Sequence, residues 1–207
     1  MADASGRGRF ITLEGVDGAG KSTHIPWIAR QLRAAGHAVV VTREPGGTPL
    51  AEKLRSLILC EAMDPLTETL LLFAARADHV QHIIRPALER GDWVLCDRFG
   101  DATVAYQHGG KGVPIQLIER LGEAAQGGLT PDRTLVFDCS YEVSRERLAA
   151  AGRAPDRFER EDRGFFDRVR TAYARLAENE PSRIRRIDGA NNLEQIKGEL
   201  RKHILVL

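Results

Sequence analysis

The chain has 207 residues, of which 43% are hydrophobic and 29% charged, and its formal net charge at pH 7 is +1. This length allows one domain with a sizeable core, and this balance excludes a disordered chain or one held to nucleic acid by bulk charge. No apolar run approaches the ~20 residues of a membrane span, and the N-terminus lacks a hydrophobic signal core. We therefore expect a cytoplasmic protein with neither a membrane nor a nucleic acid as partner.

Short apolar runs alternate along the chain with segments of helical periodicity. The runs are 10–15, 38–44, 92–98, 133–139 and 183–188, and the helical segments are 21–35, 48–59, 67–90, 114–125, 141–151, 162–179 and 192–206. This alternation predicts an α/β fold with a parallel sheet and helices on both faces. The first four runs are apolar enough for strands buried on both faces, whereas the fifth is more polar and is predicted to be an edge. Without a linker or repeat, residues 1–207 are predicted to form a single domain.

Two irregular stretches and one proline interrupt this pattern. Residues 109–114, GGKGVP, predict a loop between helices, and residues from about 149 to 162 carry Gly, Pro and alternating charges that favour a mobile lid. Pro26 falls inside the first helical segment and removes a backbone donor there, so we expect a distortion over residues 22–26. Residues 1–8 are small, polar and glycine-rich, and we expect them to be flexible.

A phosphate-binding pattern follows the first apolar run. Residues 15–22, GVDGAGKS, match G-x-x-x-x-G-K-[ST] between a predicted strand and a predicted helix. The glycines let backbone N–H groups face phosphate oxygens, Lys21 adds a positive charge, and Ser22 offers a hydroxyl to Mg²⁺. The predicted ATP contacts are Gly15, Val16, Asp17, Gly18, Ala19, Gly20, Lys21, Ser22 and Thr23. The pattern alone leaves GTPases, ATPase motors, small-molecule kinases and nucleic-acid enzymes open.

Three further stretches narrow these alternatives. They read TREPGGTPLAEKLRSLIL (42–59), LLLFAARADHV (70–80) and DRFGDATVAYQ (97–107). Together with the P-loop, they resemble bacterial thymidylate kinases over nearly the whole chain. The resemblance implies transfer of the ATP γ-phosphoryl to dTMP, giving dTDP for dTTP biosynthesis, with Mg²⁺ as cofactor. It also implies a doubly wound five-stranded parallel sheet, a lid over the phosphates and a homodimer.

Some acceptor-side residues have a physical reason for their roles. Asp97 ends a buried strand next to the predicted P-loop strand, where a carboxylate can hold Mg²⁺. Arg98 follows it and can fork onto phosphate oxygens without losing its charge. Phe73 and Arg76 lie three apart on one helix face, so Phe73 can stack on a base. The resemblance assigns Arg76 to the O4 atom of that base, which favours thymine and uracil over cytosine.

Other acceptor-side assignments depend mostly on the resemblance. Thr103, Tyr106 and Gln107 share a helix face that could read the pyrimidine edge, and Tyr106 resembles the tyrosine that packs near the sugar. The resemblance places Arg55 on the dTMP phosphate and Asp17 near the acceptor sugar and the metal-bound waters. Glu44 and Pro45 are predicted to shape the pocket, with a cis peptide between them.

The P-loop carries a small residue, Ala19, where some thymidylate kinases have a catalytic arginine. Because phosphoryl transfer spreads negative charge over the γ-phosphoryl oxygens, another cation has to supply this charge. The lid region holds Arg147, Arg153, Arg157 and Arg160. Its stretch GRAPDRFERE resembles the family's lid end, which implies that Arg153 and Arg157 are the catalytic arginines beside Lys21, Arg98 and Asp17. Another nucleotide kinase and a P-loop switch remain alternatives, although the chain lacks the N-K-x-D signature of a guanine site.

Overall fold

A parallel sheet organises the fold. The computed structural model describes residues 7–152 and 154–204, so residues 1–6 of the predicted flexible segment lie outside it. Within these ranges the strands are β1 (Phe10–Gly15), β2 (Val39–Arg43), β3 (Trp93–Asp97), β4 (Arg133–Asp138) and β5 (Ile184–Asp188). All pairings are parallel and the strand order is β2-β3-β1-β4-β5. The strand order reverses at β1, as it does in a doubly wound fold, and ligands bind at the carboxyl end of such a switch point.

Helices flank the sheet and connect its strands. They are α1 (Lys21–Ala34), α2 (Pro49–Cys60), α3 (Pro65–His79), α4 (Arg85–Glu89), α5 (Gly100–Thr103), α6 (Ile115–Gln126), α7 (Tyr141–Ala150), α8 (Arg163–Asn179) and α9 (Leu193–Ile204). A π-helical turn at Val80–Ile84 joins α3 to α4, and a second at Val104–Gly110 continues α5. None of the helices in the described part of the chain has the length and apolarity needed to cross a bilayer.

The core lies on both faces of the central strands. Every residue of β1 is buried, because α1, α8 and α9 pack on one face while residues of α4 and the first π-helical turn pack near the other. The predicted burial on both faces is wrong for β2, none of whose residues is buried. This strand pairs only with β3 and forms the second edge of the sheet. The prediction of an edge at β5 is confirmed.

The predicted elements differ from the structure at three places. The segment 67–90 is one helical stretch that begins at Pro65 and contains a π-helical turn. The helix and π-helical turn over 100–110 were not among the predicted helical segments, so the loop predicted at 109–114 is reduced to residues 111–114. Helix α1 runs through Pro26 without a break, so the predicted distortion does not interrupt it.

Candidate active site

The P-loop has the backbone shape that its glycines predict. Gly15 and Gly18 have positive φ angles of 124° and 75°. A Cβ atom on Gly15 would lie 2.1 Å from the carbonyl oxygen of Phe137, and one on Gly18 would lie 2.7 Å from that of Ser144. Ser144 of α7 also donates a hydrogen bond of 2.7 Å to the carbonyl oxygen of Asp17. The loop is therefore packed tightly against β4 and α7, and side chains at these glycines would displace it.

Lys21 begins helix α1 at the end of this loop. Its Nζ donates to the carbonyl oxygens of Gly15 at 2.9 Å and Val16 at 3.0 Å. Burial and the neighbouring Arg98 guanidinium lower the pKa of this ammonium group, and Asp17 partly opposes the shift. Ser22 and Thr23 are exposed in the first helical turn, whereas Ala19 is buried. A buried ammonium group at a helix N-terminus is suited to hold an anion such as a phosphate.

Asp97 lies where the sequence places it, at the carboxyl end of β3 beside Leu13 of β1. Its Oδ1 atom is buried and has no hydrogen-bond partner among the described residues. An unpartnered buried carboxylate oxygen is costly unless a ligand satisfies it. No cluster of three or more His, Cys, Asp or Glu side chains suited to a metal occurs in the described ranges. The unpartnered oxygen of Asp97 fits Mg²⁺, which commonly binds to one or two protein oxygens and otherwise to phosphate and water.

Arg98 reaches across the end of the sheet to the P-loop. Its Nη2 donates to Asp17 Oδ1 at 2.7 Å and to the Tyr106 hydroxyl at 3.0 Å, and its Nη1 donates to the Tyr173 hydroxyl at 3.3 Å. Burial raises the pKa of Asp17, but the Arg98 and Lys21 charges outweigh burial and leave this pKa below its usual value. These contacts hold the guanidinium in a fixed position next to the P-loop.

The backbone of Arg98 is strained. Its φ is 70°, and among the described residues it is the one non-glycine residue with a positive φ. Such a conformation costs about 1–3 kcal/mol. The next peptide N–H, that of Phe99, donates to Glu14 Oε1 at 2.7 Å, and Tyr173 donates to Glu14 Oε2 at 2.7 Å. Glu14 therefore stabilises the turn that directs Arg98 towards Asp17. Sequence reasoning missed Glu14 and Tyr173.

A cleft opens beside Arg98 and is lined by most of the predicted acceptor residues. The residues among them that line it are Asp17, Glu44, Pro45, Arg55, Arg76, Arg98, Thr103, Tyr106 and Gln107. The predicted cis peptide between Glu44 and Pro45 is present. Arg55 lies next to this turn and donates to the Pro45 carbonyl oxygen at 3.0 Å.

Arg76 lines this cleft and is 2% exposed. Its Nε donates to Glu44 Oε2 at 2.7 Å and its Nη2 to Thr103 Oγ1 at 2.9 Å, whereas Nη1 is buried without a partner among the described residues. His79 Nδ1 lies 3.0 Å from Glu44 Oε1, and Thr42 Oγ1 lies 2.7 Å from His79 Nε2. The unpartnered Nη1 is a donor that a ligand can use, while the bonds to Glu44 and Thr103 fix the position of the guanidinium.

Phe73 does not line the acceptor cleft. It is 4% exposed and packs with Val113 and Ile118, with its ring centroid 5.0 Å from the Arg76 guanidinium carbon. Leu72 lines the cleft instead. Residues 72 and 76 are four apart and share a helix face, whereas residue 73 turns towards α6. The prediction that Phe73 stacks on a base therefore has no support in this geometry. Leu72 is the residue of this pair whose side chain lines the acceptor cleft.

The lid arginines lie differently from the prediction. Arg153 lies outside the described residues. Arg157 bonds through Nη2 to the buried Glu68 carboxylate and through Nε to the Ile58 carbonyl oxygen at 3.1 Å. It lines neither the acceptor cleft nor a larger cleft that runs along the P-loop. These contacts do not support its assignment to the phosphoryl group, because the buried carboxylate needs a cation and Arg157 supplies it. Asp156 is the lid residue that lines both clefts.

Arg147 of α7 reaches the P-loop, although it was not chosen from the sequence. Its Nη1 donates to the Gly18 carbonyl oxygen at 3.3 Å and its Nη2 to that of Gly189 at 2.8 Å. It lines a large open cleft along the P-loop, together with Asn191 and Asn192 beyond the last strand. This cleft has room for a nucleotide whose phosphates lie at the P-loop.

Two clefts that meet beside a P-loop define a class of protein, the P-loop kinases that phosphorylate nucleoside monophosphates. Within that class, the chain belongs to the thymidylate kinase family, because the family model described as Thymidylate kinase matches residues 13–200. It is 54% identical over 201 residues to the thymidylate kinase of Bordetella petrii, covering 97% of each chain. It is also 54% identical over 203 residues to that of Cupriavidus necator, covering 97% of this chain and all of the relative.

A solved structure agrees with these relatives. The crystal structure of thymidylate kinase from Ehrlichia chaffeensis matches this chain with a TM-score of 0.76 and 33% sequence identity. The match covers 95% of this chain and 98% of that one. The predicted family and fold class are therefore confirmed.

Proposed function

We propose that this chain transfers the γ-phosphoryl group of ATP to dTMP, giving dTDP and ADP for dTTP biosynthesis, in the cytoplasm. One observation carries the proposal: the two clefts share a wall. The residues that line both are Asp17, Glu44, Arg55, Arg98 and Asp156. A phosphate bound at the P-loop and a phosphate bound in the smaller cleft therefore approach each other across this wall, as donor and acceptor must.

The chain supplies alignment and positive charge at this wall. A 5′-phosphate oxygen of dTMP is already anionic near pH 7, so the attack needs no general base. Lys21 serves the donor side, while Arg55 and Arg98 can hold the acceptor phosphate on the other side of the wall. Asp17 keeps Arg98 in place through the 2.7 Å ion pair. Positioned charges of this kind are worth orders of magnitude in rate when they match the transition state.

Ser22 and Asp97 are the residues that would hold Mg²⁺. The unpartnered Oδ1 of Asp97 supports this assignment, and Ser22 is exposed in the first turn of α1. When bound to the nucleotide, the ion supplies charge neutralisation to the phosphates. Gly15, Gly18 and Gly20 shape the loop, whose N–H groups serve the same phosphates.

The part of the acceptor cleft around Arg76 would recognise the base. Arg76 has one unpartnered guanidinium nitrogen there, Nη1, and Thr103 and Gln107 line the same cleft. A donor at this point pairs with a carbonyl such as O4 of thymine and rejects the amino group of cytosine. Tyr106 packs its ring 4.7 Å from the Arg98 guanidinium carbon, next to the place for the sugar.

We also propose a homodimer, as the resemblance implies. Leu50 and Leu57 of α2 and Leu66 and Leu70 of α3 are each exposed by 46–51%. Large exposed side chains on two neighbouring helices are typical of a surface that another subunit covers. Light scattering with size-exclusion chromatography checks this, and a monomeric mass at micromolar concentration would contradict it.

A substrate panel tests the activity. ADP production from ATP is followed in a coupled assay with dTMP, dUMP, dCMP, dGMP or AMP as acceptor. We expect rapid turnover with dTMP, weaker turnover with dUMP, and little with the others. Equal rates with dCMP and dTMP would contradict the role of Arg76. ATP hydrolysis that does not depend on any added monophosphate would favour a P-loop switch instead.

A further inference from the structure

The buried carboxylate of Glu68 lies outside both clefts, yet it contacts elements around the acceptor cleft. Glu68 is in α3 and is 0% exposed. Its Oε1 accepts a hydrogen bond of 2.8 Å from Gln107, and its Oε2 accepts one of 2.8 Å from Lys111 and one from Arg157 of the lid. Buried carboxylates are retained only when they are paired and hydrogen-bonded, so these contacts hold the elements to one another.

The contacts of Arg157 extend to the wall of the acceptor cleft. Its guanidinium carbon lies 4.9 Å from the centroid of the Phe158 ring, and Lys111 Nζ lies 4.8 Å from the same centroid. Phe158 lines the acceptor cleft and packs edge-to-face on Tyr106, with the ring centroids 5.9 Å apart. The Glu68–Arg157 pair therefore holds Phe158 against the side chain that packs beside the acceptor.

A second branch from Glu68 reaches the same cleft. Gln107 lines the cleft, but its Nε2 is occupied by Glu68. This bond uses one of the two amide N–H donors and fixes the orientation of the Gln107 amide, whose oxygen and second N–H are left for a ligand. Loss of Glu68 would free this amide to rotate and would release the lid residue at the same time.

We propose that Glu68 and Arg157 are positioning residues for the acceptor, forming an ion pair that seats lid residues 154–162 and Gln107 around bound dTMP. This inference rests on the proposed function, since it names how the acceptor side of that site is assembled. In this arrangement Arg157 acts through Phe158 and does not touch the transferring phosphoryl group. Its loss is expected to weaken acceptor binding, whereas loss of a catalytic arginine would slow the chemical step.

The test uses Arg157→Ala with Arg160→Ala as its matched control. Arg160 is an exposed arginine of the same lid whose guanidinium donates to the Pro155 carbonyl oxygen. With saturating ATP, Arg157→Ala is expected to raise KM for dTMP roughly tenfold, because about 1.4 kcal/mol of lost binding corresponds to a factor of ten. Its kcat and its KM for ATP should stay within about threefold of wild type. Arg160→Ala should match wild type throughout.

Glu68→Gln and the double variant measure the coupling. If the pair acts as one unit, Glu68→Gln raises KM for dTMP similarly, and the double variant is no worse than the poorer single variant. Chymotrypsin cleavage after Phe158 gives a second readout, expected to be faster in Glu68→Gln than in wild type. If Glu68→Gln does not fold, the KM of Arg157→Ala for dTMP still tests the proposal. In Arg157→Ala the Glu68 carboxylate keeps Lys111 and Gln107 as partners, so this variant is expected to fold.

The outcomes separate this inference from the proposed function. A wild-type protein that does not phosphorylate dTMP overturns the proposed function, whatever the variants do. If the wild type is active, a hundredfold loss of kcat in Arg157→Ala with unchanged KM for dTMP overturns the positioning role and favours direct contact with the phosphoryl group. Strictly additive effects of the two substitutions also overturn it.

Discussion

The buried network around Glu44 gives a stability prediction. Glu44 accepts from Arg76 Nε at 2.7 Å and lies 3.0 Å from His79 Nδ1, and the exposed fractions of these side chains are 4%, 3% and 0%. Glu44→Gln keeps the shape but removes the negative charge, so the Arg76 charge remains buried without a counter-ion. Breaking a buried pair in this way costs about 3–5 kcal/mol. The remaining bonds from Arg76 to Thr103 and to the Phe99 carbonyl oxygen place the expected cost near the lower end.

This cost converts into a measurable melting shift. For a chain of this size, each kcal/mol lowers Tm by about 2–4 °C, so a cost of about 3 kcal/mol is expected to make Glu44→Gln melt about 6–12 °C below wild type. Circular dichroism melting and urea unfolding measure the loss. The control is Glu142→Gln, which breaks an ion pair with Arg163 whose side chains are 64% and 62% exposed. Exposed pairs contribute little, so this variant should melt like wild type. A Glu44→Gln variant that melts within about 2 °C of wild type would refute the reasoning.

Further predictions concern catalysis, pH and the metal. Arg98→Ala should lower kcat by about two orders of magnitude or more with a native circular dichroism spectrum, and near-normal turnover would rule out its role at the phosphates. Burial raises the pKa of Glu14 to about 8 from 4.5, so the folded chain keeps a proton that the unfolded chain releases. Stability is therefore lost as pH rises from about 5 to about 8, by up to about 1.4 kcal/mol per pH unit. The Glu14→Gln variant is expected to show no such loss of stability. If urea unfolding shows that the stabilities of wild type and variant change with pH in parallel, the prediction is contradicted. Asp97→Asn should raise the Mg²⁺ concentration needed for half-maximal turnover several-fold at fixed ATP, and an unchanged requirement would remove Asp97 as a ligand.

The fold could be predicted largely because its signals are local. Each apolar run became a strand within one residue or so of its predicted ends, since length and β-branched composition decide such segments. The edge position of β2 could not be predicted, because its run of valines looks like that of a central strand. The segment 100–110 was predicted to be helical only through the shared face of Thr103, Tyr106 and Gln107. Its bounds and π-helical form could not be predicted, because glycines lie at both ends and the form depends on packing against α8 and α6.

The site was predictable where a motif specifies backbone geometry and less so elsewhere. The P-loop, Asp97 and the turn at Glu44 all depend on neighbours in sequence. Phe73 and Leu72 differ by one residue, and a helix phase error of one position exchanges a core side chain with a cleft side chain. Glu14 and Tyr173 are 159 residues apart, so no local pattern could pair them. Glu68 looked like an ordinary charged residue in an apolar helix.

The contacts between α7 and the P-loop have a mechanical consequence. Ser144 and Arg147 fasten this helix to the carbonyl oxygens of Asp17 and Gly18, the latter at 3.3 Å. The chain that leaves α7 becomes the lid, whose Phe158 lines the acceptor cleft. One segment of chain is therefore attached both to the phosphate loop and to the wall of the acceptor cleft.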